Sequence, residues 1–465
     1  MRFILVLLTF LALSAQVWSQ GAADSAMIAD IYKHSLTQAV CYEDLRYLCK
    51  QIGHRLAGSA SADKAIAWGE RTLSEIGVDR VFRMPVEVPQ WQRGLKEEAS
   101  YTYASEGMVH ECFPSLTALG GSVGSIEAIV APIVEVKSLE ELAQLGRARI
   151  EGKIVFFNKG LDPMLINTGA AYGGAYPIRG KGPSEAARYG AVGCIIRSLT
   201  LGDDDYAHTG ATQYNDSLAR IPAAALSARA SVELSRALKV DPALRFRLHL
   251  HCEAKPRRTQ HNVIAEWKGS EFPDQYITIG GHLDSWDIGE GAHDDGAGIV
   301  QSIQVMRTLK QLGYRPKCTI RVVLFINEEF GNDGGETYAA ICKSEGLRHR
   351  AAMESDGGGF TPRGFNCELN GEQYAHFLKW KPILEPYGLH QFRQGGSGVD
   401  IRPLQDNVIG LFGLAVDTQR YFDYHHSGND VFEQVNRREL ELGSAAMASL
   451  IYLIDQYGLD GTKAD

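Results

Sequence analysis

Hydrophobic positions follow a helical pattern in the first part of this chain and a strand-like pattern further along. Between residues 25 and 80 the pattern predicts helices at Ile28–Val40 and Asp63–Ile76. From about residue 108 to 252, short β-like runs alternate with glycine-rich loops, and one short helix is predicted at Ser184–Tyr189. The β-like runs are 128–134, 153–157 and 191–196. We expect this second stretch to be a separate, mostly β insertion.

After residue 258, strands and helices alternate with the regularity of an α/β protein. The predicted strands are Tyr276–Gly280, Thr319–Ile326, Ala351–Ser355 and Val408–Val416. The predicted helices are Gly298–Leu312, Gly335–Ser344, Gln373–Leu384 and Arg438–Tyr457. The pattern therefore places an α/β unit after the insertion.

The first nineteen residues differ from the rest of the chain. Arg2 is followed by an apolar run, Phe3–Leu13, of a length that suits a signal peptide and is too short to span a bilayer. Val17 and Ser19 fit cleavage before Gln20. We expect residues 1–19 to be a signal peptide and the mature protein to be secreted or periplasmic, without membrane attachment. An uncleaved anchor is the alternative.

Composition and charge narrow the classes of partner. Of 465 residues, 45% are hydrophobic and 22% are charged, as in ordinary globular proteins. Lys and Arg number 47 against 56 Asp and Glu, a formal charge of −9, and there are no basic runs. Nucleic acid is therefore not an expected partner. The eight cysteines include no C-x-x-C pair, so a zinc finger or redox motif is not indicated.

Acids and histidines gather where the predicted strands of the α/β unit end. The segments that carry them are Gly281–Asp287, Ala292–Gly296, Asn327–Gly331, Asp356–Gly358 and Tyr424–Asp430. Open α/β sheets bind ligands at the carboxyl ends of their strands. We therefore expect these segments to converge on one site.

The residue types in these segments suit a pair of divalent cations that share a carboxylate. Mixed nitrogen and oxygen ligands favour zinc, and open coordination positions favour catalysis. His282 and Asp284 lie two residues apart on an extended segment, so Asp284 is placed to orient the imidazole. Of the neighbouring residues Glu328 and Glu329, one can bind a metal ion and the other can move the proton of a metal-activated water.

Five motifs in a fixed order carry a family resemblance: GHLDSWD, AHDDG, NEEFG, ESDGGG and HHSGND. In this order they resemble the two-zinc exopeptidases, and the resemblance extends to GHRLAGS near Gly53. It implies a mixed central sheet flanked by helices, with an inserted β-rich segment that resembles a protease-associated domain. Residues 20–107 and 253–465 would form the peptidase domain, and residues 108–252 the insertion.

The resemblance also implies roles for single residues. His282 and Asp356 would bind one zinc ion, Glu329 and His426 the other, and Asp294 would bridge the two ions. Glu328 would be the general base, and Asp284 would assist catalysis. The peptide bond between Asp294 and Asp295 would be cis.

His425 is the position where this chain departs from the family pattern. Some relatives have a tyrosine before the last ligand, where it stabilises the oxyanion, and His425 stands there in this chain. We assign His425 to substrate binding, with a packed or solvated histidine as the alternative. The oxyanion donor is left open.

The complete ligand set and Glu328 favour a peptide-bond hydrolase with two Zn²⁺ per chain. The expected substrate is a dipeptide or short peptide with a free amino end. A broad aminopeptidase, a non-catalytic receptor and another reaction such as aminoacyl cyclisation are the alternatives. A homodimer is also left open.

Overall fold

Two eight-stranded sheets organise residues 21–459, the part of the chain that this computed structural model describes. The predicted signal peptide, residues 1–19, lies outside the described residues. Within residues 21–459, no helix has the length and apolar character needed to cross a bilayer.

Sixteen strands form these sheets. In chain order they are β1 (Arg80–Gln92), β2 (Glu97–Ser105), β3 (Met108–Cys112), β4 (Leu116–Ala118), β5 (Ile129–Val136), β6 (Ile154–Phe157), β7 (Gly193–Arg197), β8 (Ala223–Leu226), β9 (Arg245–Leu250), β10 (Glu253–Trp267), β11 (Phe272–His282), β12 (Cys318–Phe325), β13 (Arg348–Glu354), β14 (Pro362–Glu368), β15 (Gln391–Gln394) and β16 (Val408–Val416).

Helices pack around both sheets. They are α1 (21–38), α2 (Cys41–Tyr47), α3 (Ala60–Glu75), α4 (Leu139–Ile150), α5 (Thr168–Arg188), α6 (Ala228–Val240), α7 (Ala297–Gln311), α8 (Asp333–Ser344), α9 (Gly371–Phe377), α10 (Lys381–Leu384), α11 (Tyr421–Tyr424) and α12 (Arg437–Tyr457). Short π-helical turns are Leu48–Ile52 and Ala292–Gly296, and 3₁₀ turns are Leu378–Trp380, Glu385–Tyr387, Arg402–Leu404, Thr418–Arg420 and Phe432–Gln434.

The first sheet has the strand order β1-β10-β12-β11-β13-β16-β14-β15. Its four central strands, β12, β11, β13 and β16, run parallel. Strands β1 and β10 pair antiparallel with their neighbours, and β14 pairs antiparallel with β16 and parallel with β15. Every residue of β12 is buried, as expected for a strand covered on both faces. The α/β fold with a mixed sheet flanked by helices is therefore confirmed, and its parallel strands end at one edge.

The four predicted strands correspond to β11, β12, β13 and β16, whereas β1, β10, β14 and β15 of this sheet were not predicted. The predicted strand Val408–Val416 coincides with β16, and the predicted final helix begins one residue inside α12. The predicted helix at Gln373–Leu384 is instead divided into α9 and α10, with a 3₁₀ turn between them. Pro382 lies in the first turn of α10, where its missing N–H breaks no helical hydrogen bond.

The second sheet has the order β3-β2-β9-β5-β6-β7-β8-β4 and is built from residues 97 to 250. Strand β2 therefore precedes the predicted boundary at 108 and still belongs to this sheet. The helix predicted at Ser184–Tyr189 is the C-terminal part of a longer one, because α5 extends over 21 residues from Thr168. Its glycines, Pro177 and Pro183 have low helix propensity, so the sequence pattern does not predict its full length. Packing compensates, since Gly182 allows the helix to approach the Phe157 ring.

Ile279 provides a test of this packing. It is fully buried in β11, between Val322 and Met353 on the adjacent strands. Ile279→Ala should lower the free energy of unfolding by about 2–5 kcal/mol, through lost burial and a residual cavity. Ile126→Ala, at a fully exposed position, should change it by no more than about 0.5 kcal/mol. Urea unfolding of both variants measures the difference, and equal effects would contradict the assigned core.

Candidate metal centre

The parallel strands of the first sheet bring the predicted site residues to one edge. His282 is the last residue of β11, Glu328 and Glu329 follow β12, and Asp356 follows β13. Two further segments reach this edge, the π-helical turn before α7 and the loop after α11. The turn supplies Asp294, and the loop supplies His425 and His426.

Asp294 lies between two imidazoles and places one carboxylate oxygen towards each. Its Oδ1 is 3.2 Å from His282 Nε2, and its Oδ2 is 3.3 Å from His426 Nε2. The same two nitrogens meet a second carboxylate each. His282 Nε2 is 3.5 Å from Asp356 Oδ1, and His426 Nε2 is 3.1 Å from Glu329 Oε2. The structure thus arranges two donor groups around one shared carboxylate.

Several donor atoms of these groups are buried and lack a hydrogen-bond partner among the described residues. They are His282 Nε2, Asp294 Oδ2, Glu329 Oε1 and Asp356 Oδ1. Buried polar atoms are nearly always paired in folded proteins. Nitrogen and carboxylate donors within 4.8 Å of one another, such as those of His282, Asp294 and Glu329, suit a divalent cation. The residues present therefore fit a metal centre.

The charges of this edge also favour a cation. Burial, with the charges of Asp356 and Glu329, raises the pKa of Glu328 well above its usual range. Burial likewise raises the pKa of Glu329 and that of Asp356. The anionic forms of these acids repel one another in a buried space, and a bound cation would relieve that repulsion.

Asp284 supports the site in a different way from the one we expected. Its backbone carbonyl oxygen lies 3.1 Å from His282 Nδ1, while its carboxylate Oδ1 is 3.8 Å from that nitrogen. The carboxylate instead accepts three backbone N–H groups, from Asn327 at 2.7 Å, Glu328 at 3.1 Å and Glu329 at 3.3 Å. Asp284 therefore holds the turn that carries both glutamates.

Two further acids brace the ligand-bearing segments through backbone N–H groups. Asp295 accepts from His282 N at 3.1 Å and from Gly298 N at 2.9 Å. Asp430 accepts from His293 N at 2.7 Å and from Asp294 N at 3.1 Å. The bond between Asp294 and Asp295 is cis, which confirms that expectation.

Arg55 is a supporting residue whose role the sequence did not reveal. Its fully buried guanidinium donates to the carbonyl oxygens of Leu283 at 2.7 Å, Glu290 at 2.6 Å and Gly291 at 2.8 Å. It therefore fixes the segment between His282 and Asp294. Three of its four carbonyl partners lie at least 228 residues away, so in the sequence Arg55 is distinguished only by its place in GHRLAGS.

His425 stacks on His426 with ring centroids 3.5 Å apart, and its Nε2 is 3.7 Å from Asp294 Oδ2. The rings of Tyr172 and Tyr421 lie within 5.2 Å of it. Burial and the charge of His426 hold the pKa of His425 well below its usual range. His425 thus packs beside the donor groups, and its assignment to substrate binding stays a prediction.

A large cleft opens beside Asp356, with a cavity volume of about 1310 Å³. The glycine-rich loop 395–399 lines it, together with Ile166 from the second-sheet segment and Tyr421. Glu354 holds this loop by accepting from the N–H groups of Val399 and Ile401, each at 3.0 Å. The volume exceeds the range of about 300–1,000 Å³ typical of small-molecule pockets, so the cleft has room for a peptide.

Comparison with known proteins agrees with these observations. Residues 262–451 match peptidase family M28. The chain is 31% identical to carboxypeptidase Q from Bos taurus over 96% of this chain and 91% of that protein. It is similar to the structure of a peptidase M28 precursor from Shewanella amazonensis SB2B, with 32% identity, a TM-score of 0.87, and coverage of 94% and 97%. A zinc aminopeptidase from Bacillus subtilis shares the fold at 19% identity, with a TM-score of 0.63 and coverage of 91% and 94%.

The contacts of Asp284 lead to a prediction about its carboxylate. Asp284→Asn would turn an amide N–H₂ group towards backbone N–H donors, which displaces the turn that carries Glu328 and Glu329. Metal affinity and turnover should each fall by about 10–100-fold, the usual cost of losing a supporting partner. Asp406→Asn, at an exposed position, is the control and should show wild-type metal affinity and turnover. Wild-type metal affinity in Asp284→Asn would contradict this role.

Proposed function

We propose that this chain, which belongs to peptidase family M28 and is a metallopeptidase, is a two-zinc exopeptidase that hydrolyses dipeptides or short peptides with a free amino end. The observation that carries the proposal is the position of Asp294, whose two oxygens face the Nε2 atoms of His282 and His426. A shared carboxylate between two imidazoles is the arrangement that a pair of metal ions needs.

The ligands divide into two sets in this proposal. His282 and Asp356 would hold one zinc ion, His426 and Glu329 would hold the other, and Asp294 would offer an oxygen to each. When bound, the ions supply Lewis acidity, which polarises a carbonyl group and lowers the pKa of water. The buried donor atoms without hydrogen-bond partners support this division.

Burial distinguishes the two adjacent glutamates. Glu329 is 7% exposed and lies 3.1 Å from His426 Nε2, as suits a ligand. Glu328 is partly exposed, and no residue of the described chain donates a hydrogen bond to its carboxylate. A carboxylate that is not held by the protein is available to act as a general base. Glu328 takes a proton from water as the water oxygen bonds to the scissile carbonyl carbon, and delivers it to the amine nitrogen as the C–N bond breaks.

A broad aminopeptidase is the second candidate for this site. The cleft of about 1310 Å³ favours it, because that volume accepts chains longer than a dipeptide. A non-catalytic receptor is less well supported, since donor atoms of all five proposed ligands approach one another at one edge of the sheet, and Glu328 directly precedes Glu329 in the chain.

Variants of the two glutamates test the proposed division of roles. Elemental analysis should find two zinc ions in the wild type and in Glu328→Gln, whose turnover should fall by about 10²–10⁴-fold. Glu329→Gln should lose zinc, and added zinc should partly restore its turnover. Zinc loss in Glu328→Gln with retention in Glu329→Gln would reverse the two roles. Near-normal turnover in Glu328→Gln would refute the general base.

A peptide panel tests the substrate class. We expect hydrolysis of dipeptides and of short peptides with a free amino end, and loss of hydrolysis when the same peptides carry an acetylated amino group. Product analysis by mass spectrometry identifies the bond that is cut. Release of successive amino-terminal residues from long peptides, with poor hydrolysis of dipeptides, would favour the aminopeptidase. Equal cleavage of blocked and free peptides would rule out amino-end recognition.

A further inference from the structure

We propose that the cleft beside Asp356 binds a carboxylate group of the peptide substrate, and that Arg393 and Arg402 recognise the charge of this group. This inference rests on the proposed function, because it takes the occupant of the cleft to be the peptide whose bond is cut. The chain as a whole is acidic, with 47 Lys and Arg against 56 Asp and Glu. Three arginines nevertheless line this one cleft, Arg363, Arg393 and Arg402. The partners of the charges in the cleft decide which ligand it suits.

The four carboxylates that line the cleft all have partners within the protein. Glu354 accepts two backbone N–H groups, each at 3.0 Å, and Glu368 accepts a serine hydroxyl at 2.8 Å. Asp417 Oδ2 lies 2.9 Å from Arg363 Nη2. Asp356 lies 3.5 Å from an imidazole nitrogen and is a proposed zinc ligand. No carboxylate of the cleft is therefore left to neutralise the other two arginines.

Arg393 and Arg402 carry the charges of the cleft that have no partner. Both residues are exposed, and among residues 21–459 no carboxylate lies within ion-pair distance of either guanidinium. A guanidinium presents its N–H donors in a planar fork that matches the two oxygens of a carboxylate. The unpaired charge of the cleft is therefore positive, and it is complementary to an anionic group of a ligand.

The register of the first sheet sets the distance between Arg393 and the metal centre. Arg393 pairs with Asn366, which pairs with Gly413. Gly413 in turn pairs with Glu354, two residues before Asp356. Three strand spacings of about 4.8 Å give roughly 14 Å from Glu354 to Arg393, which an extended peptide covers with about four residues. A long arginine side chain can shorten this distance, so a carboxylate on a short peptide bound at the centre is within reach of Arg393.

The glycine-rich loop 395–399 crosses the sheet along the same row of residues. A Cβ built on Gly413 would overlap the carbonyl oxygen of Ser397, so the loop lies directly on β16. Among the described residues, the N–H groups of Gly396, Ser397 and Gly398 have no acceptor. Successive backbone N–H groups are a common means of holding a carboxylate. The loop therefore adds uncharged donors to the cleft that contains the two unpaired guanidiniums.

One wall of the cleft comes from the second-sheet segment and is held in place by contacts with the peptidase sheet. Ile166 lines the cleft, and its carbonyl oxygen accepts from Gln419 Nε2 at 2.8 Å. Further along the same segment, His208 and Ser427 form an isolated antiparallel bridge. A site that is already formed loses less conformational freedom when its ligand binds. The cleft therefore needs no rearrangement of this wall to receive a peptide.

Matched peptides test whether a carboxylate is recognised and which one it is. Alanyl-alanine and trialanine are each compared with their carboxamides, and glutamyl-alanine carboxamide is compared with glutaminyl-alanine carboxamide. In the wild type, kcat/KM should be about 10–100-fold higher for the charged member of at least one pair, the usual effect of hydrogen bonds to a charged group. A preference in the first two pairs identifies the terminal carboxylate, and a preference in the third identifies an acidic side chain.

Variants of the two arginines locate the recognition. Arg393→Met and Arg402→Met should each lower kcat/KM for the charged peptide by about 3–10-fold, and the double variant should abolish the preference. The neutral member of each pair should keep its wild-type kcat/KM, because it presents no charge to the arginines. Arg393→Lys should retain part of the preference, since it keeps the charge and loses the planar fork. Arg438→Met, at an exposed position outside the cleft, is the matched control and should keep wild-type kinetics with every peptide.

Calorimetry with zinc-loaded Glu328→Gln measures the binding of the same peptides without turnover, and the Kd values should show the same preference. Equal binding and hydrolysis of charged and neutral peptides would overturn the inference while the proposed function stands. A preference that survives in the double variant would also overturn it, as would an equal loss for both members of a pair. A binding preference in a protein whose wild type hydrolyses none of the peptides would instead refute the proposed function and keep the inference.

Discussion

Buried negative charge at one edge of the first sheet is the constraint to which the surrounding structure responds. Asp294, Glu329 and Asp356 meet two imidazoles there, and like charges about 4 Å apart repel by roughly 4 kcal/mol at an effective dielectric constant near 20. The nearby backbone N–H groups do not relieve this repulsion, because the supporting acids Asp284, Asp295 and Asp430 accept them instead. The candidate ligands thereby keep their donor atoms free for a cation.

The second-sheet segment braces this edge at two separate places. Arg179 reaches His426 from α5. Arg93, at the junction of the two sheets, donates to Asp287 at 2.5 Å and to the carbonyl oxygen of Ala118 at 2.6 Å. Asp287 lies in the loop that follows His282, so both ends of the centre are tied to residues 97–250 or their junction. The segment that looked like a separate insertion in the sequence is in contact with the centre itself.

Features that depend on residues close together in the chain could be predicted from the sequence. The apolar run of β16 and the motifs at the strand ends are contiguous, so the α/β fold and the residues that converge could be predicted. Helix α5 could not, because packing against Phe157 overrides its glycines and prolines. Arg55 and Arg179 could not either, since Arg55 binds carbonyl oxygens 228 to 236 residues away and Arg179 lies beside a ring nitrogen 247 residues away. The residues around an arginine do not reveal partners of this kind.

The bridge between His208 and Ser427 limits how this protein can diverge by recombination. A chimaera that joins the second-sheet segment of one homologue to the peptidase sheet of another inherits the two sides of this contact from different parents. Such a chimaera keeps the backbone geometry of His426 only when the incoming segment also supplies the contacts that His208 and Thr209 make with residues 425–427. The segment and the centre are therefore inherited as one unit, although they are far apart in the chain and belong to different sheets.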